Sequence, residues 1–111
     1  SLASRPPATL ESAAYFVIAE ALTNAAKHSG ASVVRVDGRI VDGSLRIEVS
    51  DDGRGGADVQ HGGGLAGMVS RITALEGRLR VASPVGGPTT VLAELPMPTG
   101  TSWPPPGAPT A

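Results

Sequence analysis

Cysteine is absent from this chain of 111 residues. That excludes a disulfide framework, a thiolate metal site and a cysteine nucleophile, and it leaves the redox compartment undecided. Aromatic residues are scarce, with one Trp, one Tyr and one Phe, so there is no aromatic-plus-basic surface for stacking nucleic-acid bases. Two histidines are too few for a His-rich metal cluster, and Lys27 is the only lysine among nine basic residues. The formal net charge of −1 sets up no field that would gather nucleic acid or an anionic membrane. No apolar run approaches the roughly 20 residues of a transmembrane helix, and no signal-peptide pattern opens the chain. What is present is ordinary: 41% hydrophobic and 17% charged residues, enough for one domain with a modest core. The expectation is a soluble, cytoplasmic segment without nucleic-acid or membrane contact, whose parent protein could be membrane-anchored.

Apolar spacing sets the organisation. Residues 1–8 are an irregular lead-in, with Thr9 as the expected N-cap and Glu11 near the positive helix end. From Leu10 to about Ser29, Leu10, Ala13, Ala14, Val17, Ile18, Ala21, Leu22 and Ala25 recur at three- and four-residue steps, which predicts an amphipathic helix stopped by Gly30. Residues 32–41 are rich in β-branched side chains, Asp42-Gly43 is a hairpin turn, and Leu45, Ile47 and Val49 alternate with Arg46 and Glu48, so one face of the second strand is buried. Residues 51–63 are glycine-rich and polar, a mobile loop. Leu65, Met68, Val69, Ile72 and Leu75 restore a helical stripe ending at Gly77, and two short strands, 78–83 and 89–95, flank a second hairpin. A domain over 9–96 followed by a flexible Pro/Gly-rich tail, 97–111, is expected. The order α-β-β-loop-α-β-β predicts a two-layer α/β sandwich, a mixed or antiparallel sheet with helices on one face.

Three patterns could carry chemistry. Glu20, Asn24, Lys27 and His28 lie at helical spacing and share one face. An amide oxygen there can ligate Mg²⁺, an ammonium can meet a phosphate, and a carboxylate can hold a metal-bound water or accept a proton. The same stripe also fits a plain solvated helix face. Asp51 closes an alternating strand and can accept a hydrogen bond from an exocyclic amine, while Gly53 and Gly55 let backbone approach a flat ring. An ordinary Asp-Gly turn fits equally well, and an EF-hand does not, because no acid stands at the twelfth position. Gly62, Gly64 and Gly67 match a dinucleotide glycine pattern, but no strand precedes them, so a Rossmann motif is excluded. They do open a helix, whose N–H groups and dipole suit an anion. Arg54 and His61 fit phosphate contacts or simple solvation.

Taken together these residues resemble a known family. Glu20-Ala-Leu-Thr-Asn24-Ala-Ala-Lys27-His28 resembles the N box of sensor histidine kinases, Asp51-Asp-Gly53-Arg-Gly55 their G1 box, and Gly62-Gly-Gly64-Leu-Ala-Gly67-Met68 their G2 box. Gly77-Arg-Leu-Arg-Val81 and Gly86-Gly-Pro-Thr89-Thr-Val91 also match. The resemblance covers about residues 7–96 and is closest to kinases paired with NarL-type response regulators. It implies a Bergerat ATP-binding fold using ATP and Mg²⁺. By position, Asp51 would accept the adenine amino group with Gly53 and Gly55 beside the base. Asn24 would bind Mg²⁺, and Lys27 and His28 would reach phosphates. Gly64, Leu65 and Gly67 would form the lid hinge and helix start, and Thr89 would support the adenine pocket. Glu20 is the base in water-activating relatives. The implied partners are the dimerisation domain bearing the phosphoacceptor histidine and a response regulator.

The sequence departs from that pattern in places. The stretch between Gly55 and Gly62 is too short for an extra lid helix, Pro88 replaces a common glycine, and neither histidine stands in a dimerisation-helix context. The usual first strand is missing or cut short, so an excised domain is expected. An anti-sigma-factor-type serine kinase and a nucleotide-sensing module without turnover are the rival readings. All of them require the Asp51 carboxylate to face inward.

Overall fold

The computed structural model describes residues 5–55 and 65–105. Helix α1 (Ala8–Asn24) passes into a π-helical turn (Ala25–Ser29). Strands β1 (Val34–Val41) and β2 (Ser44–Asp51) follow, then helix α2 (Leu65–Ala74) and strands β3 (Arg78–Ala82) and β4 (Thr89–Pro96). The sheet is antiparallel throughout, in the order β1-β2-β4-β3. α1 packs on β2 and β4, α2 on β3 and β4, and the helices touch each other. This is the expected two-layer α/β sandwich. The guanidinium of Arg71 on α2 lies 4.1 Å above the Phe16 ring of α1, a cation–π contact across the helix pair.

Cross-strand register arranges the helix-facing side of the sheet in rows. Val36, Val49, Val91 and Val81 form one row, and Gly38, Ile47, Ala93 and Leu79 the next. Ile40, Leu45 and Leu95 form a third. Leu45, Ile47, Ala93 and Leu95 are at most 1% exposed, and they meet Ala14, Val17, Met68 and Ile72 of the helices. Beyond the valine row the same face turns polar, at Asp51 and Thr89. The opposite face carries Arg35, Asp37, Arg39, Arg46 and Glu48 and is wet, as alternation requires.

Several local expectations are corrected. Pro7, not Thr9, occupies the N-cap position, without a side-chain cap. The first helical bond, Glu11 N–H to the Pro7 carbonyl, is 2.9 Å long, which places Thr9 inside the helix. Glu11 does sit in the first turn and pairs with Arg5 at 2.8 Å. Gly30 ends the first helix in left-handed conformation as expected, but regular α geometry stops at Asn24. Gly77 does not stop α2 by its own backbone conformation. Glu76 takes the left-handed position at φ 63°, with bonds from Glu76 N–H to Thr73 O and Gly77 N–H to Ile72 O, the Schellman pattern. Glycine is needed at 77 for space, since a Cβ there would strike the Glu94 carbonyl oxygen.

The tail expectation fails for residues 97–105. Met97 is buried, with its N–H on the Gly43 carbonyl at 2.9 Å, and Trp103 packs against the core. Gly38 leaves a slot over β1 for the indole, whose Cδ1 would lie 2.9 Å from a Cβ at that position. The Tyr15 and Trp103 ring centroids are 5.5 Å apart. One large apolar side chain thus repays the ordering of a short polar segment. Residues 106–111 lie outside the described residues, as do the loop positions 56–64.

Candidate nucleotide site

Four segments converge where β2 ends and β4 begins. The π-helical turn leads through Gly30 to Val34, which pairs with Asp51. Asp51 in turn pairs with Thr89. The turn between β3 and β4 closes over the 51–55 loop, and α2 starts where the chain re-enters the described region at Leu65.

Asp51 is 8% exposed and shares its face with Leu45, Ile47 and Val49, so the carboxylate looks toward the helix layer. Its Oδ1 accepts the Gly53 N–H at 2.8 Å, leaving Oδ2 as the oxygen available to a ligand donor. Thr89 is equally buried, and its Oγ1 lies 2.6 Å from the Ser83 hydroxyl. The result is a polar row at the rim of an apolar floor. A flat, partly apolar ring with an amine donor fits such a row.

Sequence reasoning missed two residues here. Asp52 is exposed, and its Oδ1 accepts N–H groups from Ser32 at 2.7 Å and Val33 at 3.0 Å, while its own N–H bonds the Val33 carbonyl at 3.2 Å. The bonds from Val33 and then Ser32 hold its carboxyl below the usual carboxylate range. The clasp ties the end of the helix to the end of β2. Ser83 is the other, and alternation along β3 could have placed it on the inner face beside Thr89.

Most of the remaining candidates lie within the described residues. α geometry runs to Asn24, so Glu20 and Asn24, both half-buried, keep their one-turn relation. Lys27 and His28 lie beyond the regular α-helical segment. They lie in the π-helical turn, where i→i+5 bonding rotates the chain less per residue than an α-helix does. Lys27 is exposed. Gly55 has φ 67°, and a Cβ there would meet the Pro84 carbonyl oxygen, so its glycine is required by protein contact whatever lies beside it. Leu65 is 4% exposed and belongs to the core, while Gly67 is exposed, with Phe16 3.7 Å from a Cβ built there. Gly64 and His61 lie outside the described residues. A shallow cleft of about 310 Å³ is lined by Val33, Arg35, Ser50, Asp51 and Asp52. It shares only Asp51 with the expected contacts and opens partly on the outer face. Among the described residues there is no cluster of three or more acidic or histidine side chains able to hold a metal, and no helix long and apolar enough to cross a membrane.

Residues 9–99 match the family described as histidine kinase-, DNA gyrase B- and HSP90-like ATPases. The chain belongs to that family. As an ATPase domain it is 39% identical over 83 residues to the signal transduction histidine-protein kinase/phosphatase UhpB of Salmonella typhimurium. That match covers 73% of this chain but only 16% of UhpB. Among solved structures, the histidine kinase domain of the Erythrobacter litoralis EL346 blue-light activated kinase superposes with a TM-score of 0.70 at 27% identity, covering 82% of this chain and 46% of that one. The ATP binding domain of PrrB from Mycobacterium tuberculosis gives 0.61 at 27% identity, over 89% of this chain and 79% of that one. The resemblance to histidine kinases and the Bergerat fold stand on these matches. ATP is the ligand the family implies.

Proposed function

We propose that this ATPase domain is the ATP·Mg²⁺-binding catalytic part of a cytoplasmic two-component sensor histidine kinase. It presents the γ-phosphoryl group to a histidine on a dimerisation domain outside this chain, and a response regulator, of NarL type, receives the phosphoryl group from there. The observation that carries the reading is the buried, inward-facing Asp51, with one oxygen on the Gly53 N–H and the other left to a ligand. In this reading Oδ2 takes the adenine amino group, and Gly53, Gly55 and Thr89 bound the base. Asn24 offers its amide oxygen to Mg²⁺, while Lys27, His28 and the Gly64–Gly67 helix start gather phosphates. Phosphoryl transfer asks for positioning and charge neutralisation more than for a protein nucleophile, in keeping with the positioning roles given to these residues. Glu20 stands one helical turn from Asn24 and would orient a metal-bound water.

The test is Asp51→Asn in isothermal calorimetry with ATP·Mg²⁺. The asparagine carbonyl keeps the Gly53 bond, while its NH₂ meets the ligand amine donor to donor. A loss of at least about tenfold in affinity at an unchanged melting temperature is expected. Equal affinity for both proteins would refute the assignment. Activity needs the partner domain: label from ATP should appear on its histidine when the two are mixed, and not on this chain.

A further inference from the structure

No residue of the turn between β3 and β4 is among the ligand contacts assigned above, yet its backbone is fastened to the 51–55 loop. Gly86 N–H bonds the Arg54 carbonyl at 2.7 Å, and Gly87 N–H closes the turn on the Pro84 carbonyl at 2.9 Å. The two segments also meet glycine to glycine. A Cβ at Gly87 would strike the Gly53 carbonyl oxygen. A Cβ at Gly55 would strike the Pro84 carbonyl oxygen and lie 2.7 Å from the Gly87 nitrogen. Neither backbone has room for a side chain facing the other.

We propose that Gly87 is a positioning residue for the nucleotide: by abutting the Gly53 carbonyl it holds in place the residue whose N–H, on the preceding peptide, fixes the Asp51 carboxylate. The linkage is short. Gly87 bears on Gly53, Gly53 N–H bonds Asp51 Oδ1 at 2.8 Å, and Asp51 presents its remaining oxygen to the ligand. Displacing Gly53 rotates that carboxylate or removes its bond. Two residues beyond Gly87, Thr89 faces Asp51 across the sheet, so the same turn sets both side chains of the polar row. The inference rests on the reading that Asp51 receives the adenine.

Gly86 supplies a matched control. It lies in the same turn with φ 93°, against 77° for Gly87, but nothing lies within 4 Å of a Cβ built on it. Gly86→Ala therefore carries the conformational cost of a left-handed alanine alone, whereas Gly87→Ala adds the collision with Gly53. Calorimetry with ATP·Mg²⁺ on wild type, Asp51→Asn, Gly86→Ala and Gly87→Ala, with a urea midpoint for each, separates the effects. Gly86→Ala should bind within about threefold of wild type and Gly87→Ala at least about tenfold more weakly. Equal affinities for the two alanine variants overturn the positioning role. Asp51→Asn binding as wild type does overturns the adenine reading beneath it, and the role with it. If Gly87→Ala does not fold, amide exchange of the wild-type chain decides. Coupling is reciprocal, so ATP should slow exchange at the Gly86 N–H at least about threefold. Unchanged exchange there overturns the proposal.

Discussion

Replacing Trp103 by alanine removes the indole from the slot above Gly38 and from the Tyr15 ring. A fully enclosed tryptophan buries about 150–250 Å². Trp103 is half-buried, so about 100–150 Å² leaves water, worth about 3 kcal/mol at about 25 cal/mol per Å². An unfolded chain that already hides part of this area lowers the figure to about 2 kcal/mol. The tilted contact with Tyr15 adds about 0.5–1 kcal/mol, while release of the 98–105 segment returns some chain entropy. The net expectation is a loss of about 2–3 kcal/mol, or about 10 °C in melting temperature for a domain of this size. Urea unfolding followed by far-ultraviolet circular dichroism is the suitable assay, because Trp103 is the only tryptophan and its emission disappears with the substitution. A double-mutant cycle with Tyr15→Ala should return a coupling of about 0.5–1 kcal/mol. A Trp103→Ala variant within about 0.5 kcal/mol of wild type would show that the C-terminal segment contributes nothing to the core.

Two further outcomes are expected. The Asp52 carboxyl is held below its usual 3.8 in the folded chain, so its clasp adds stability above that value and loses it as pH falls through the lower folded value. Urea midpoints of wild type and Asp52→Asn should therefore converge on acidification below about pH 4, and a constant gap would contradict the clasp. Gly77→Ala forces a Cβ against the Glu94 carbonyl and should cost about 1–3 kcal/mol by overpacking, whereas Gly43→Ala, with open space around it, should show only the cost of its positive φ. Thermal melts of the two proteins compare these directly.

The sandwich was legible because hydrophobic periodicity survives in each element: three- and four-residue steps along α1, strict alternation along β2, and Asp42-Gly43 between the first two strands. Asp51 was legible for the same reason, since it continues the inward phase of Leu45, Ile47 and Val49. What escaped depends on space rather than pattern. The π-helical turn at Ala25–Ser29 leaves no composition signal. The demand for glycine at 55, 77 and 87 comes from backbones distant in sequence, and the fixing of Trp103 comes from an absent side chain at Gly38. A Pro-, Gly- and Thr-rich stretch reads as unordered until one knows what its single ring can cover. Asp52 was hidden behind its neighbour, because its partners, Ser32 and Val33, lie some twenty residues earlier.

The row arrangement of the sheet divides the molecule by kind of bonding. At one end Ile40, Leu45, Leu95, Met97 and Trp103 form an oily heel continuous with the helix–sheet core. At the other, Asp51, Asp52, Thr89 and the paired glycines hold a toe by directional bonds and close backbone fits. Heat reports chiefly on the apolar core and its heel. A substitution that spoils the toe can thus leave the melting curve almost unmoved while abolishing recognition, and an intact melting curve is no certificate that the binding end is in order.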